Sequence, residues 1–258
     1  MFQLFHADPP WRYSDKSKNR GGAVRHYETM KLADMKAMNV AELAAPTAVL
    51  WMWTTGPQLP DSLELMKAWG FTYRTLGFVW VKRTSQHWRN VAFRLRKTLT
   101  NQLSALLGVT PRSVSKTPVL AGQLLGRITP ELVEQMCKDF WHWGQGHYTR
   151  SNAEIVIVGV RGKGRVLERL DKGVHQVLES LVQEHSVKPD EVYQRLERLY
   201  GADVKRLDMF TRRNRPGWSA LGDQVDRTDY HIDPDTKQIL PRAGDANTQS
   251  YNEKAMQP

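Results

Sequence analysis

The sequence predicts an α/β fold: a mainly parallel, doubly wound sheet carrying a helical, basic insertion. Three observations lead there. Short, nearly continuous apolar runs recur along the chain, segments of helical period separate them, and one long stretch breaks the alternation with basic sequence. A strand buried on both faces needs apolar residues at successive positions, whereas a surface helix needs them only every third or fourth.

The elements follow in order. Residues 2–7, with Phe2, Leu4 and Phe5, form a first strand, which Pro9 and Pro10 stop because they lack the N–H that a ladder requires. Residues 11–27 make a polar loop with Arg12, Lys16, Lys18, Arg20 and Arg25 around Gly21-Gly22. A helix is expected over 33–43, with Met35, Met38 and Leu43 on its apolar side. Residues 47–53 read as a buried strand, and 61–69 as a helix ended by Gly70. Residues 71–82 return to strand, with Leu76, Phe78, Val79, Trp80 and Val81, and 153–160 repeat the buried pattern with Ile155 to Val158. A helix over 189–200 places Val192, Leu196 and Leu199 on one face, and 206–210 is a last short strand.

Domain organisation follows from what interrupts this pattern. Residues 1–83 and 146–226 form one catalytic domain, 84–145 a helical insertion, and 227–258 a polar tail that is disordered or draped over the surface. Between Thr84 and Arg127 there are seven basic residues and no acidic one. The whole chain of 258 residues has 37 Lys and Arg against 27 Asp and Glu, a formal charge of +10, which favours an anionic partner, nucleic acid before an acidic membrane surface. With 40% hydrophobic residues the chain is not a disordered one, and its single cysteine, Cys137, excludes a disulfide scaffold and fits a reducing compartment. No run approaches 18 apolar residues and no basic-then-apolar leader opens the chain, so a soluble, cytoplasmic protein is expected.

The chemistry concentrates at Asp8-Pro9-Pro10-Trp11, on a loop at the carboxyl end of the first strand. A strand-ending turn with a core tryptophan is the plain reading. The chemical reading is methylation of an exocyclic amine, whose lone pair is delocalised into its ring. The Asp8 carboxylate is an acceptor only, and the Pro9 carbonyl is a second acceptor on a rigid backbone. Together they grip both N–H bonds and draw the nitrogen toward tetrahedral geometry. Trp11 offers a face for a flipped base, a contact worth about 1–3 kcal/mol. Transfer then needs a sulfonium methyl donor held in line, with most of the gain from orientation. No metal is required, and His142 and His147 read as loop residues.

Six ordered blocks extend this motif. They are His6-Ala7-Asp8-Pro9-Pro10-Trp11; His26-Tyr27-Glu28-Thr29-Met30; Trp80-Val81-Lys82; Gly146-His147-Tyr148-Thr149-Arg150; His185-Ser186-Val187-Lys188-Pro189-Asp190; and Leu207-Asp208-Met209-Phe210-Thr211-Arg212 with Pro216-Gly217-Trp218 and Gly222-Asp223-Gln224. In these the chain resembles the adenine N6-methyltransferases typified by the catalytic subunit of the mRNA adenosine methyltransferase, a family that includes bacterial and phage DNA methyltransferases. The resemblance implies a Rossmann-like fold, S-adenosylmethionine as cofactor, and a permuted order in which the catalytic motif precedes most of the donor site. That order accounts for the missing Gly-x-Gly-x-x-Gly, whose absence also disfavours an oxidoreductase. It implies that Asp8, Pro9, Pro10 and Trp11 are catalytic, with Asp8 also near the methionyl amine. Lys188 would meet the methionyl carboxylate, and Arg212, Asn214, Asp223 and Gln224 the ribose and adenine. Tyr27 and Lys82 fall to the substrate.

Within the insertion, residues 103–115 resemble a helix-turn-helix: an apolar helix, Gly108 at the turn, then a polar helix that places Arg112 and Lys116 at a DNA groove. A helical cap whose basic face meets phosphates or water is the alternative. DNA is therefore the expected partner and substrate. RNA is the competing polymer, a non-catalytic nucleic-acid-binding role the competing class, and a homodimer an assembly compatible with the type.

Overall fold

The computed structural model describes residues 1–12, 29–83, 87–114, 141–142, 144, 148–163, 167–182, 187–222, 225 and 228–242. These fall into two compact units. The first holds residues 1–79, 155–176 and 190–258, the second residues 80–154 and 177–189.

In the first unit, β1 (Phe2–Ala7) lies between two parallel partners, β2 (Ala44–Thr54) and β6 (Arg206–Met209). Its residues are almost entirely buried, as a run apolar on both faces requires. Beyond β6 come β7 (Ser219–Leu221) and β8 (Tyr230–Ile232), both parallel, and then antiparallel β9 (Ile239–Pro241). On the other side β2 pairs antiparallel with β4 (Ala153–Arg161), and β3 (Thr72–Arg83) follows. The sheet is thus mixed, parallel at its centre and antiparallel at its flanks, and has the Rossmann-like architecture the sequence predicts.

The expected helix over 33–43 is two short ones, α1 (Leu32–Lys36) and α2 (Val40–Leu43), because Asn39 leaves the helical region. The strand expected at 47–53 starts earlier, at Ala44, and a register shift between Phe2 and Leu4 accommodates Pro46 and Thr47. Helix α3 (Leu59–Ala68) buries Leu65 and Met66 and ends in a Schellman motif: Gly70 N–H bonds Lys67 O, Phe71 N–H bonds Met66 O, and Gly70 takes φ +81°. Trp69 locks the layer through Nε1–H to Met35 O at 2.8 Å. These side chains join Phe5, Leu50, Met52 and Leu207 in one core.

Two strands lie where the sequence predicts only a polar tail. β8 and β9 extend the sheet, and Ile239 is buried in its core. Three-residue strands with one or two apolar anchors carry too little periodicity to be read in advance.

In the second unit the end of β3 is bonded on both sides. Lys82 N–H meets Asn152 O at 2.7 Å, Val182 N–H meets Arg83 O at 2.9 Å, and β5 (Val177–Leu181) runs alongside. A 21-residue helix, α4 (His87–Leu107), fills the start of the insertion; Gly108 turns the chain at φ +62° and α5 (Pro111–Val114) follows. The predicted apolar helix at 103 is therefore the last turn of a much longer one. No helix among the described residues is long and apolar enough to cross a membrane.

Candidate active site

The first unit brings its candidate residues to a single place. From β1 the chain crosses to β2 on one side, whereas β6, β7 and β8 extend on the other, so the order reverses between β1 and β6. In open sheets of this class ligands bind outside the carboxyl ends of the strands at such a point. Asp8 leaves β1 there. Its N–H makes the last ladder bond, to Met209 O at 3.3 Å, before the two prolines end pairing. Its side chain is half-buried.

The turn that follows is held by its own backbone. Trp11 N–H bonds Pro9 O at 2.8 Å, and Met30 N–H bonds Pro10 O at 2.9 Å. Pro9 O keeps a second lone pair for an incoming N–H. Trp11 is 5% exposed, and its Nε1–H is committed to Trp53 O at 3.2 Å. The buried indole thus anchors the turn.

At the neighbouring strand end, Phe210 stops β6 with φ +62°. The chain then returns to the sheet through Thr211, whose N–H bonds Leu221 O at 3.0 Å. Gly222 passes so near that a Cβ there would lie 2.1 Å from Thr211 O, a close approach only glycine permits. Arg212 is half-buried and Asn214 exposed along this segment. Tyr27, Lys116, Asp223 and Gln224 lie outside the described residues, and Arg112 is placed in the first turn of α5 by its backbone.

Beneath Asp8 lies a polar network that the sequence reading missed. His6 stands opposite Asp208 in the β1–β6 register and is 1% exposed. Its Nδ1 meets Asp208 Oδ1 at 2.7 Å, and Trp53 Nε1–H donates to its Nε2 at 2.8 Å. An indole N–H only donates, so Nε2 is the bare nitrogen and Nδ1 carries the proton given to Asp208. Helix α6 (Asp190–Tyr200) lays Tyr193 against the His6 ring at 4.5 Å. Burial, with the Asp208 carboxylate beside it, holds the Tyr193 hydroxyl well above the usual phenol range. The Arg215 guanidinium covers the other ring, 3.6 Å from the Tyr193 centroid, and is tied to Asp190 at 2.6 Å.

The second unit holds a different kind of cluster. Glu154 takes Lys82 on Oε1 and Lys188 on Oε2, the latter at 3.0 Å, with Lys188 9% exposed. Burial alone would push the Glu154 carboxyl up, but the Lys188 and Lys82 ammonium groups outweigh it and lower it to about 2. Two ammoniums share one carboxylate. Lys82 also rests over the Trp80 ring at 4.9 Å, and its carbonyl accepts His142 N–H at 2.8 Å. Burial and the Lys82 charge hold the His142 ring below its ordinary range. Lys82, expected at the substrate, and Lys188, expected at the donor carboxylate, are thus brought together through Glu154, of which no role was expected.

Comparison with known proteins agrees with this geometry. The family model MT-A70 matches residues 2–118 and 132–224. A type II methyltransferase, M.MunI, of Mycoplasma sp is 26% identical over 261 residues, covering 95% of this chain and 83% of that one. An N(6)-adenosine-methyltransferase MT-A70-like protein of Arabidopsis thaliana is 25% identical over 87% of this chain. The human N(6)-adenosine-methyltransferase catalytic subunit is 24% identical over 91%. The chain spans 24% of the plant protein and 30% of the human one.

Proposed function

This chain belongs to the MT-A70 family of adenine N6-methyltransferases, and we propose that it methylates the N6 amine of adenine in DNA. S-adenosylmethionine is the cofactor of the family, and bound here it supplies an electrophilic methyl group on a sulfonium. The donor set suits such a group. In the first unit the Asp8 carboxylate at the strand reversal is matched to a cationic amine, and in the second the Lys188 ammonium is of the type that meets a carboxylate. The segment through Arg212 and Asn214 supplies polar side chains for a ribose and a base.

The single observation that carries the catalytic reading is Asp8. It is a half-buried carboxylate at the end of the central strand, beside a proline carbonyl with one lone pair to spare. Asp8 accepts one N–H of the adenine amine and Pro9 O the other, which aims the nitrogen lone pair along one direction. Once methylated, the amine nitrogen would give up one N–H proton, for which the Asp8 carboxylate is an acceptor at hand. Lys188 fixes the acidic end of the donor, with Glu154 neutralising its partner lysine. Lys82 serves the substrate side.

DNA rather than RNA is supported by two features. Most of this chain and most of the type II methyltransferase align, whereas it spans a quarter to a third of the adenosine methyltransferases. The insertion also presents helix, glycine turn and helix in the order a groove reader uses, with Arg112 at the start of the second helix. The test is labelled donor incubated with matched DNA and RNA oligonucleotides, read by mass spectrometry of the nucleosides. N6-methyladenine in DNA is the expected product. Methylation of RNA alone reassigns the substrate, and none in either polymer refutes the reading.

A further inference from the structure

The catalytic turn is pinned at both ends to one residue. Three bonds do it, none of them on Asp8, Pro9 or Pro10 side chains. Before the turn, His6 accepts Trp53 Nε1–H on Nε2 and gives its own proton to Asp208; after it, Trp11 Nε1–H bonds Trp53 O. Trp53 therefore holds the residue two before Asp8 through its side chain and the residue three after it through its carbonyl. All four groups are buried, Trp53 at 1% exposure.

We propose that His6, Trp53 and Asp208 are positioning residues for methyl transfer, acting with Trp11 as a clamp that sets where Asp8 and the Pro9 carbonyl stand. The clamp rests on the methyl-transfer reading above, because its task is to hold two acceptors against one amine. It acts on neither the donor nor the nucleic acid directly. A shift of about 1 Å in such a pair costs up to a hundredfold in rate while leaving binding largely intact. Loosening the clamp should therefore lower kcat and spare KM.

The test is steady-state kinetics of Trp11→Phe, Trp53→Phe and the double variant, beside wild type and Asp8→Ala. Phenylalanine keeps an aromatic ring in each slot and removes one N–H. Each single variant is expected to lose about tenfold or more in kcat, with KM for donor and for DNA within about threefold. The double variant is expected to fall short of the product of the two, because one freed end already releases the turn. A kcat within about twofold of wild type in either single variant overturns the clamp, and so does a loss carried by KM. A multiplicative double variant overturns it as well. Should Trp53→Phe fail to fold, the wild-type protein still decides the matter through nitrogen-15 NMR of His6 at neutral pH. The bare nitrogen must be Nε2, and a proton found there overturns the proposal. Wild type without any methyl transfer refutes the enzymatic reading and the clamp with it. An active wild type with indifferent variants refutes the clamp alone.

Discussion

Asp208 and Glu154 are both buried carboxylates, and the molecule treats them in opposite ways. Asp208 is given a neutral donor, His6, with the Tyr193 hydroxyl held protonated beside it. Glu154 is given two full positive charges. The first arrangement fixes geometry through directional hydrogen bonds. The second sets full opposite charges against its carboxylate. One is suited to holding a turn still, the other to attracting an anion.

Substitutions can sharpen or break that contrast. The largest effect belongs to a third carboxylate, Asp8, at the carboxyl end of β1. Asp8→Ala should cost about a thousandfold or more in transfer rate with the far-UV circular dichroism unchanged. Residual transfer near wild type would remove Asp8 from the chemistry.

Next in size is Glu154→Gln, which leaves two half-buried ammoniums without their counter-charge. Its carboxyl titrates near 2 in the folded chain against 4.5 ordinarily, so the pair adds stability that is present above pH 4.5 and lost as pH falls toward 2. A shift of that size corresponds to roughly 3 kcal/mol at neutral pH as an upper bound. Urea unfolding of wild type and variant should differ most at neutral pH and converge in acid. A constant gap would mean that the charges are not what stabilises the cluster.

Asp208→Asn should cost about 1–3 kcal/mol in the same assay, because the His6 Nδ1–H loses a strong acceptor in a dry site. Lys188→Ala is the smallest, about a tenfold weaker Kd for the donor by calorimetry. An equal loss with Asp208→Asn would erase the distinction between a holding site and an attracting one.

How much of this was legible in advance varies with how local its cause is. Asp8, Pro9, Pro10 and Trp11 are contiguous, and two prolines after an apolar strand dictate a loop at its carboxyl end. The order of strands and helices followed from periodicity, apart from β5, whose apolar run Glu179 and Ser180 interrupt, and β7, β8 and β9, which are too short to show one. The His6–Asp208 pair was not visible, since 202 residues separate its members and only the β1–β6 register sets them face to face. A histidine and an aspartate inside apolar strands were nonetheless a signal, because neither belongs in a core without a partner. The setting of Trp11 was hidden for a related reason: the motif shows that an indole is present, but its bond to Trp53 O comes from a distant strand.

β1 is bonded along both edges, to β2 and to β6, and its side chains are sealed on both faces. Amides in such a strand exchange with solvent only when the whole unit opens. Warming the protein should therefore not erode its catalytic geometry by degrees. The slowest-exchanging amides and the last measurable turnover should disappear within the same few degrees.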